Sequence, residues 1–261
     1  NVGRATVTVT GIGNYTGTKE VTFDITPAAL TITADDKSKL FGEVDSALTV
    51  SYAGFVNAED QDDLSGTLSI SRAAGESVNT YAITATGLTS TNYAITYASG
   101  TFTIASKPIT DTDITVAPIA DLVYTGLGQT PSPVVKDVAT DLVKDTDYTL
   151  SYVDNTNVGS ATVTVIGTGN YSGNRELSFT IVSKVITILI EDQEKDYGAQ
   201  EPVLVFTADP TLFGSDVFTG ELSRASGEAV GEYLITSGTL SEGDNYSLDI
   251  QTDAIFRIIR I

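Results

Sequence analysis

Two glycine clusters have the spacing most suggestive of chemistry. Gly11, Gly13 and Gly17 lie in TVTVTGIGNYTGT (residues 6–18), and Gly167, Gly169 and Gly173 lie in TVTVIGTGNYSGN (residues 162–174). A dinucleotide loop needs G-x-G-x-x-G between a strand and a helix, because the helix N-terminus supplies the amides and the dipole that hold pyrophosphate. Here the spacing is G-x-G-x-x-x-G, and the following TKEVTFDI alternates like a strand. A phosphate cradle therefore lacks its helix, and the glycines are read as hairpin turns with Tyr15 or Tyr171 packing over the bend.

Histidine, cysteine, methionine and tryptophan are all absent, which removes imidazole triads, thiol nucleophiles, Cys/His zinc sites and disulfide staples. Carboxylates are left as the only catalytic groups, as in a glycosidase pair. The acids recur in register along the chain: Glu20 with Glu176, Asp36 with Asp192, Glu76 with Glu228. An acid rebuilt in each copy argues for a structural role, so no catalytic, cofactor-binding or metal residue is assigned and no enzyme is expected. Arg72 with Glu76, and Arg224 with Glu228, are placed to face each other across a tight turn as surface pairs contributing about 0.5 kcal/mol. Glu59, Asp60, Asp62 and Asp63 form the one acidic loop that could attract calcium, but EF-hand spacing is missing and the other copy, DPTLFGSD, keeps only Asp209 and Asp216. Acids capping a helical turn are the preferred reading, and no cofactor is expected. Tyr52, Tyr81, Tyr93, Tyr148, Tyr152 and Tyr233 sit at strand positions, where cross-strand packing is the default use and sugar stacking the alternative. NYT at Asn14 and NYS at Asn170 match a glycosylation sequon, which turn chemistry explains equally well.

The 34 acidic and 14 basic residues give a net charge of −20, a surface that repels phosphate backbones and anionic lipid, so nucleic acid is not an expected partner. VITILI (residues 185–190) is the longest apolar run, far short of a membrane span and suited to a buried strand. The chain begins inside a repeat, so it is expected to be a piece of a longer one.

The elements carrying these residues are half-buried strands. ATVTVT, EVTFDI, LTITAD, YAITA and LSFTIV alternate apolar residues with Thr, Ser or acid, the period of two that presents one face to a core. Helical periodicity is confined to single turns at residues 57–64 and 209–216. Residues 1–29 align with 157–185 without a gap, about two thirds of positions being identical, and LTITADDKSKLFGE, SRAAGESVNTYAIT and NYAITY recur as ITILIEDQEKDYGA, SRASGEAVGEYLIT and NYSLDI. The expected organisation is A-B-A-B: a truncated A at 1–27, B at 28–106, a full A at 107–183 and B at 184–261. The truncated A lacks the half corresponding to residues 107–156, so its apolar face (Val7, Val9, Val21, Phe23) is expected to be ordered only under cover.

The B segments resemble MBG (mostly β-grasp, YDG-type) repeats of very large bacterial surface proteins. The A segments, with YTGLGQTPSPVV and DTDYTLSYVDNTNVGSATVTVIGTGNYSG, resemble the β-rich repeats that accompany them. The resemblance covers essentially the whole chain and implies a structural stalk of an extracellular, cell-surface adhesin, such as those of gliding Bacteroidota, with no catalytic residues to transfer. Together these readings predict an all-β (β-grasp/Ig-like) tandem array of small domains forming an elongated rod. At ~3.3 Å per strand residue the three full domains would reach about 10 nm. Its partners would be neighbouring repeats, with cell-surface glycan or protein engaged through other domains; the alternative is a repeat that binds glycan or another cell surface itself.

Overall fold

The computed structural model describes residues 1–251 and 253–260. Among them the regular elements are β-strands, apart from a single 3-10 turn at Gln61–Asp63. The class is all-β, as the two-residue alternation requires: in Ala28–Ala34 the residues Leu30, Ile32 and Ala34 are buried while Ala29 and Thr33 point out. The chain divides into two compact units, residues 1–108 with 168–172, and residues 109–167 with 173–261.

Unit 1 opens with a hairpin of Gly3–Thr10 and Thr18–Ile25, paired from Gly3↔Ile25 to Thr10↔Thr18. Its loop is closed by the Gly11 amide donating to the Gly17 carbonyl at 2.9 Å, and Gly13 and Gly17 adopt the positive φ of 68° and 99° that such a bend demands. The hairpin forms with Val7, Val9, Val21 and Phe23 at 49, 60, 58 and 52% exposure, contrary to the expectation that it needs cover. Local turn geometry and an uninterrupted ladder suffice to set its register.

Two sheets follow. One orders Val50–Ala53, Ala28–Ala34 and Tyr93–Ala98; the other orders Lys37–Leu40, Gly100–Ala105, Asn79–Thr89 and Ser65–Arg72. The leading strands pair with the trailing ones in parallel, Ala28–Ala34 beside Tyr93–Ala98 and Lys37–Leu40 beside Gly100–Ala105. Leu30, Ile32 and Tyr93 anchor one core cluster, and Ala34, Ile83, Phe102 and Ile104 another.

Unit 2 contains a three-stranded sheet (Ile114–Val116, Val135–Asp137, Thr140–Asp141) and a four-stranded one ordered Leu122–Val123, Asn174–Val182, Gly159–Gly167, Tyr148–Val153. The hairpin register of unit 1 returns here as Gly159↔Ile181 through Ile166↔Asn174. With added strands on both edges, Val163 and Val165 are fully buried and Phe179 is 3% exposed. The two-sheet pattern also returns: Phe206–Asp209, Lys184–Ile190 and Tyr246–Gln251 in one sheet, Gln193–Asp196, Ile255–Ile259, Gly231–Thr236 and Ser223–Arg224 in the other, again with parallel leading and trailing strands. The helical turn expected at residues 209–216 is absent; Gly214, at φ 58°, reverses the chain there instead.

Candidate functional site: a repeated buried charge clamp

Lys39 and Lys195 are buried charges at matching points of the two sandwiches. Each lies on the short strand that runs parallel to the last strand of its sandwich, so its side chain enters the open end between the sheets. The Lys39 ammonium bonds Glu76 at 2.6 Å, Asp45 at 2.7 Å and the Glu43 carbonyl at 2.9 Å. Arg72 closes the ring: its Nε bonds Asp45 at 2.5 Å, its Nη2 bonds Glu76, and its Nη1 donates to the Ala73 and Gly75 carbonyls at 2.9 and 2.7 Å. The guanidinium also lies over Tyr81 and Phe102, 5.4 and 5.0 Å from the ring centres.

The second copy repeats this with Lys195, Glu201, Arg224 and Glu228. Lys195 bonds Glu201 at 2.8 Å and Glu228 at 2.7 Å. Arg224 grips Glu201 through both Nε and Nη2, holds Glu228 at 2.9 Å, and lies over Tyr233 and Phe256 at 5.0 and 4.8 Å. A glycine makes the ring contact possible. A Cβ on Gly75 would stand 2.2 Å from Tyr81 Cε1 and one on Gly227 2.4 Å from Tyr233 Cε1, with φ of 144° and 149°, so the SRAxGE sequence needs its glycine twice over.

The chemistry available to this cluster is narrow. The Arg72 hydrogen bond, then that of Lys39, pulls Asp45 down to about 2, and Arg224 does the same to Glu201, also to about 2. Hydrogen bonds to Asp45 and Glu76 raise Lys39, and those to Glu201 and Glu228 raise Lys195. Carboxylates held ionised cannot donate protons near neutrality, and ammoniums held charged cannot act as bases or nucleophiles. The arrangement suits fastening.

Arg72 with Glu76 and Arg224 with Glu228 meet as the turn spacing predicts, but not as isolated surface pairs, because the arginine side chains are only 10 and 9% exposed. Lys39, Lys195, Asp45 and Glu201 escaped the sequence reading. Their signal was present: the alignment that pairs Phe41 with Tyr197 also pairs Lys39 with Lys195 and Asp45 with Glu201.

The other recurring acids are fasteners too. Asp36 accepts from the Thr101 amide and Asp192 from the Ile255 amide, both at 2.7 Å. Within the acidic loop, Asp60 caps the 3-10 turn, accepting from the Asp62 amide at 2.8 Å while Asp63 accepts from the Asp60 amide at 2.9 Å. Glu59 accepts from the Tyr93 hydroxyl at 2.6 Å. Among the described residues no three carboxylates converge as ion ligands would.

Tyr93 and Tyr148 are buried; Tyr52, Tyr81, Tyr152 and Tyr233 are half-buried. Tyr171, in unit 1, is buried edge-on to Phe41 at 5.5 Å, while its counterpart Tyr15 is 80% exposed. The Asn170 side chain accepts from the Val78 amide at 3.0 Å, a turn-and-packing role for one of the two sequon asparagines.

The profile of the MBG domain (YGX type) matches residues 30–103 and 186–257, more than half of the chain. The chain belongs to the MBG domain family. Both matched stretches contain a complete clamp, and the YGX subtype replaces the YDG type suggested by resemblance. Gly42 and Gly198, which follow Phe41 and Tyr197, both take positive φ, 84° and 80°, so each MBG copy turns at the same glycine before delivering Asp45 or Glu201 to its lysine. No curated protein matches the chain.

Proposed function

We propose that this chain is a spacer from the stalk of an extracellular bacterial adhesin, a rod of tandem β domains that extends and presents distal binding domains and bears tension. The observation that carries this reading is the pairing of leading with trailing strands. In each MBG copy the first strand runs parallel to the penultimate one over six residue pairs, and the next strand runs parallel to the last over four. Tension applied to the two ends of such a domain pulls parallel neighbours in opposite directions along their length. The ladder is then loaded in shear, all rungs together, whereas a hairpin pulled at its open end parts one rung at a time.

The joints support the reading. The Asn92 side chain accepts from the Val2 amide at 3.2 Å and Asn245 from the Val158 amide at 2.9 Å; their carbonyls accept from the amides of Ala28 and Lys184. Each hairpin is thus bonded to the sandwich that follows it. In unit 2 one core cluster includes Tyr124, Val163 and Phe179 together with Ile188, Tyr246 and Phe256, leaving no flexible tether between those sheets. MBG domains are non-catalytic repeats typical of extracellular surface proteins, and no helix among the described residues is long and apolar enough to cross a membrane.

Direct binding of glycan or another cell surface is the competing reading, and the groove beside Phe206 and Leu222, about 510 Å³, is its best location. Its charged walls, Arg224 and Glu201, are already bonded to each other, which leaves few groups to recognise a sugar.

Single-molecule pulling tests the spacer reading. Extension through the ends of residues 28–106 is expected to need more force than extension through the open end of the Ser65–Arg72/Asn79–Thr89 hairpin. Equal or lower force along the end-to-end direction overturns it.

A further inference from the structure

We propose that unit 1 carries a strand-binding groove, beside Ile25 and Tyr93, that accepts an extended peptide with a branched aliphatic residue two positions before a tyrosine. The inference is independent of the spacer reading.

Unit 2 shows the same frame filled. Leu122 and Val123 run parallel to Ile181 and Val182, and the Tyr124 amide donates to the Val182 carbonyl at 2.9 Å. Tyr124 is 5% exposed. Its ring stands edge-on to Tyr246 at 5.3 Å and to Phe213 at 5.9 Å. Its hydroxyl donates to Asp216 at 3.2 Å, and Asp216 also accepts from the Tyr246 hydroxyl at 2.7 Å.

Unit 1 reproduces this frame bond for bond. Ile25 and Thr26 stand where Ile181 and Val182 do, and Asn92 holds Val2 as Asn245 holds Val158. The Val56 amide donates to the Tyr93 hydroxyl as the Phe213 amide donates to that of Tyr246. Glu59, three residues past Val56, accepts from the Tyr93 hydroxyl just as Asp216, three residues past Phe213, accepts from Tyr246.

Where Tyr124 would lie there is a cavity of about 170 Å³, lined by Val2, Ile25, Val56, Glu59 and Tyr93 among others. A cavity of about 150 Å³ is enough for a benzene ring, so a phenol fits with its hydroxyl directed at Glu59. Ile25 is 41% exposed where Ile181 is fully buried, and the Thr18–Ile25 edge that corresponds to the one taken by Leu122–Val123 has no strand beside it among the described residues. Such an edge next to a side-chain pocket is the arrangement that strand addition uses. A second copy of the chain is a poor occupant, because its own Leu122–Tyr124 segment is already packed inside unit 2.

The test is a titration of isotope-labelled protein with a synthetic peptide of residues 118–126, PIADLVYTG, followed by NMR. Saturable shifts are expected at Val2, Ile25, Thr26, Glu59 and Tyr93, while the filled counterparts Val158, Val182 and Tyr246 stay still. A peptide with Tyr124→Phe should bind roughly 10-fold more weakly, through loss of the bond to Glu59, and one with Tyr124→Ala should not bind. No shifts at millimolar peptide, equal shifts with a scrambled peptide, or shifts that follow protein concentration and ignore the peptide would each overturn the proposal, the last in favour of self-association. Any of these outcomes leaves the pulling experiment unaffected.

Discussion

Arg224→Met isolates what the clamp contributes. Methionine keeps an apolar stem over Tyr233 and Phe256 and removes only the guanidinium. The main loss is the two-point grip on Glu201; because the Glu201 side chain is 42% exposed, water weakens that grip to about 1 kcal/mol, below the range for charge-assisted bonds in full burial. Glu228, 67% exposed, is given no weight. The two ring contacts add about 0.5 kcal/mol each, and the Ala225 and Gly227 carbonyls are close enough to solvent to be rehydrated. The total is about 2 kcal/mol, which for a unit of roughly 150 residues lowers the melting temperature by about 4–8 °C. Scanning calorimetry measures it against Lys144→Met, whose side chain is 48% exposed and 3.9 Å from Asp145. If Arg224→Met lowers the transition no more than Lys144→Met does, the clamp is not a fastener and the reasoning fails. Glu201→Gln in the same background should add less than it costs alone, since the two share one interaction.

Acid should unlock both clamps. Asp45 and Glu201 titrate near 2 in the folded chain against ordinary values of 3.8 and 4.5; with the folded value depressed, their stabilisation is complete above about pH 4.5 and fades as pH falls toward about 2. The urea midpoint should therefore be flat near neutrality and drop on acidification, and a midpoint that holds steady down to about pH 2 contradicts this. Val163→Ala, at a fully buried position, should cost about 2 kcal/mol, whereas the aligned Val7→Ala, at 49% exposure, should cost under about 0.5 kcal/mol in urea unfolding. Equal costs would mean that the hairpin of unit 1 is covered in solution. Millimolar calcium should leave the melting temperature unchanged, because Asp60 and Asp63 serve as caps and Glu59 binds Tyr93; a rise of several degrees would place an ion among them.

The fold was legible where a rule acts locally. Alternation exposes one face of a strand whatever its partners, so Leu30, Ile32 and Ala34 could be placed inside before their sheet was known. The glycine turns were legible for the same reason, since a positive φ is demanded by the bend itself. Partner choice was not. Nothing in KSKLFGE says that Lys39 will run beside Gly100–Ala105, some sixty residues later, and a lysine in an alternating run reads as a solvent-facing residue until the acids across the gap are known. The clamp was half visible, as Arg72 with Glu76, because those two lie one tight turn apart. The other half joins residues brought together by the sandwich alone. Val56 and Phe213 were not recognised as counterparts because the residues share no likeness; the equivalence lies in a backbone amide that meets a tyrosine hydroxyl in both places.

A position next to the weakest ladder explains why so acidic a chain commits scarce cations to its interior. Of 14 basic residues, Lys39, Arg72, Lys195 and Arg224 are held inside two clamps. The strand that carries each lysine meets the trailing strand over only four pairs, fewer than the six of the other parallel ladder, so under tension it is the one to slide first. Lys39 bonds a carbonyl and two carboxylates that reach it from the loop after its strand and from the turn after Ser65–Arg72. Sliding by one residue would break these bonds together with the rungs. A hydrophobic side chain at the same point could slip along an apolar surface with little change in burial, since that attraction has no direction, whereas an ammonium fixed by three acceptors resists displacement along the strand. On this argument Lys39→Met should lower the force needed to open residues 28–106 by a larger fraction than it lowers their equilibrium stability, and proportional losses in the two measurements would show that the clamp acts on stability alone.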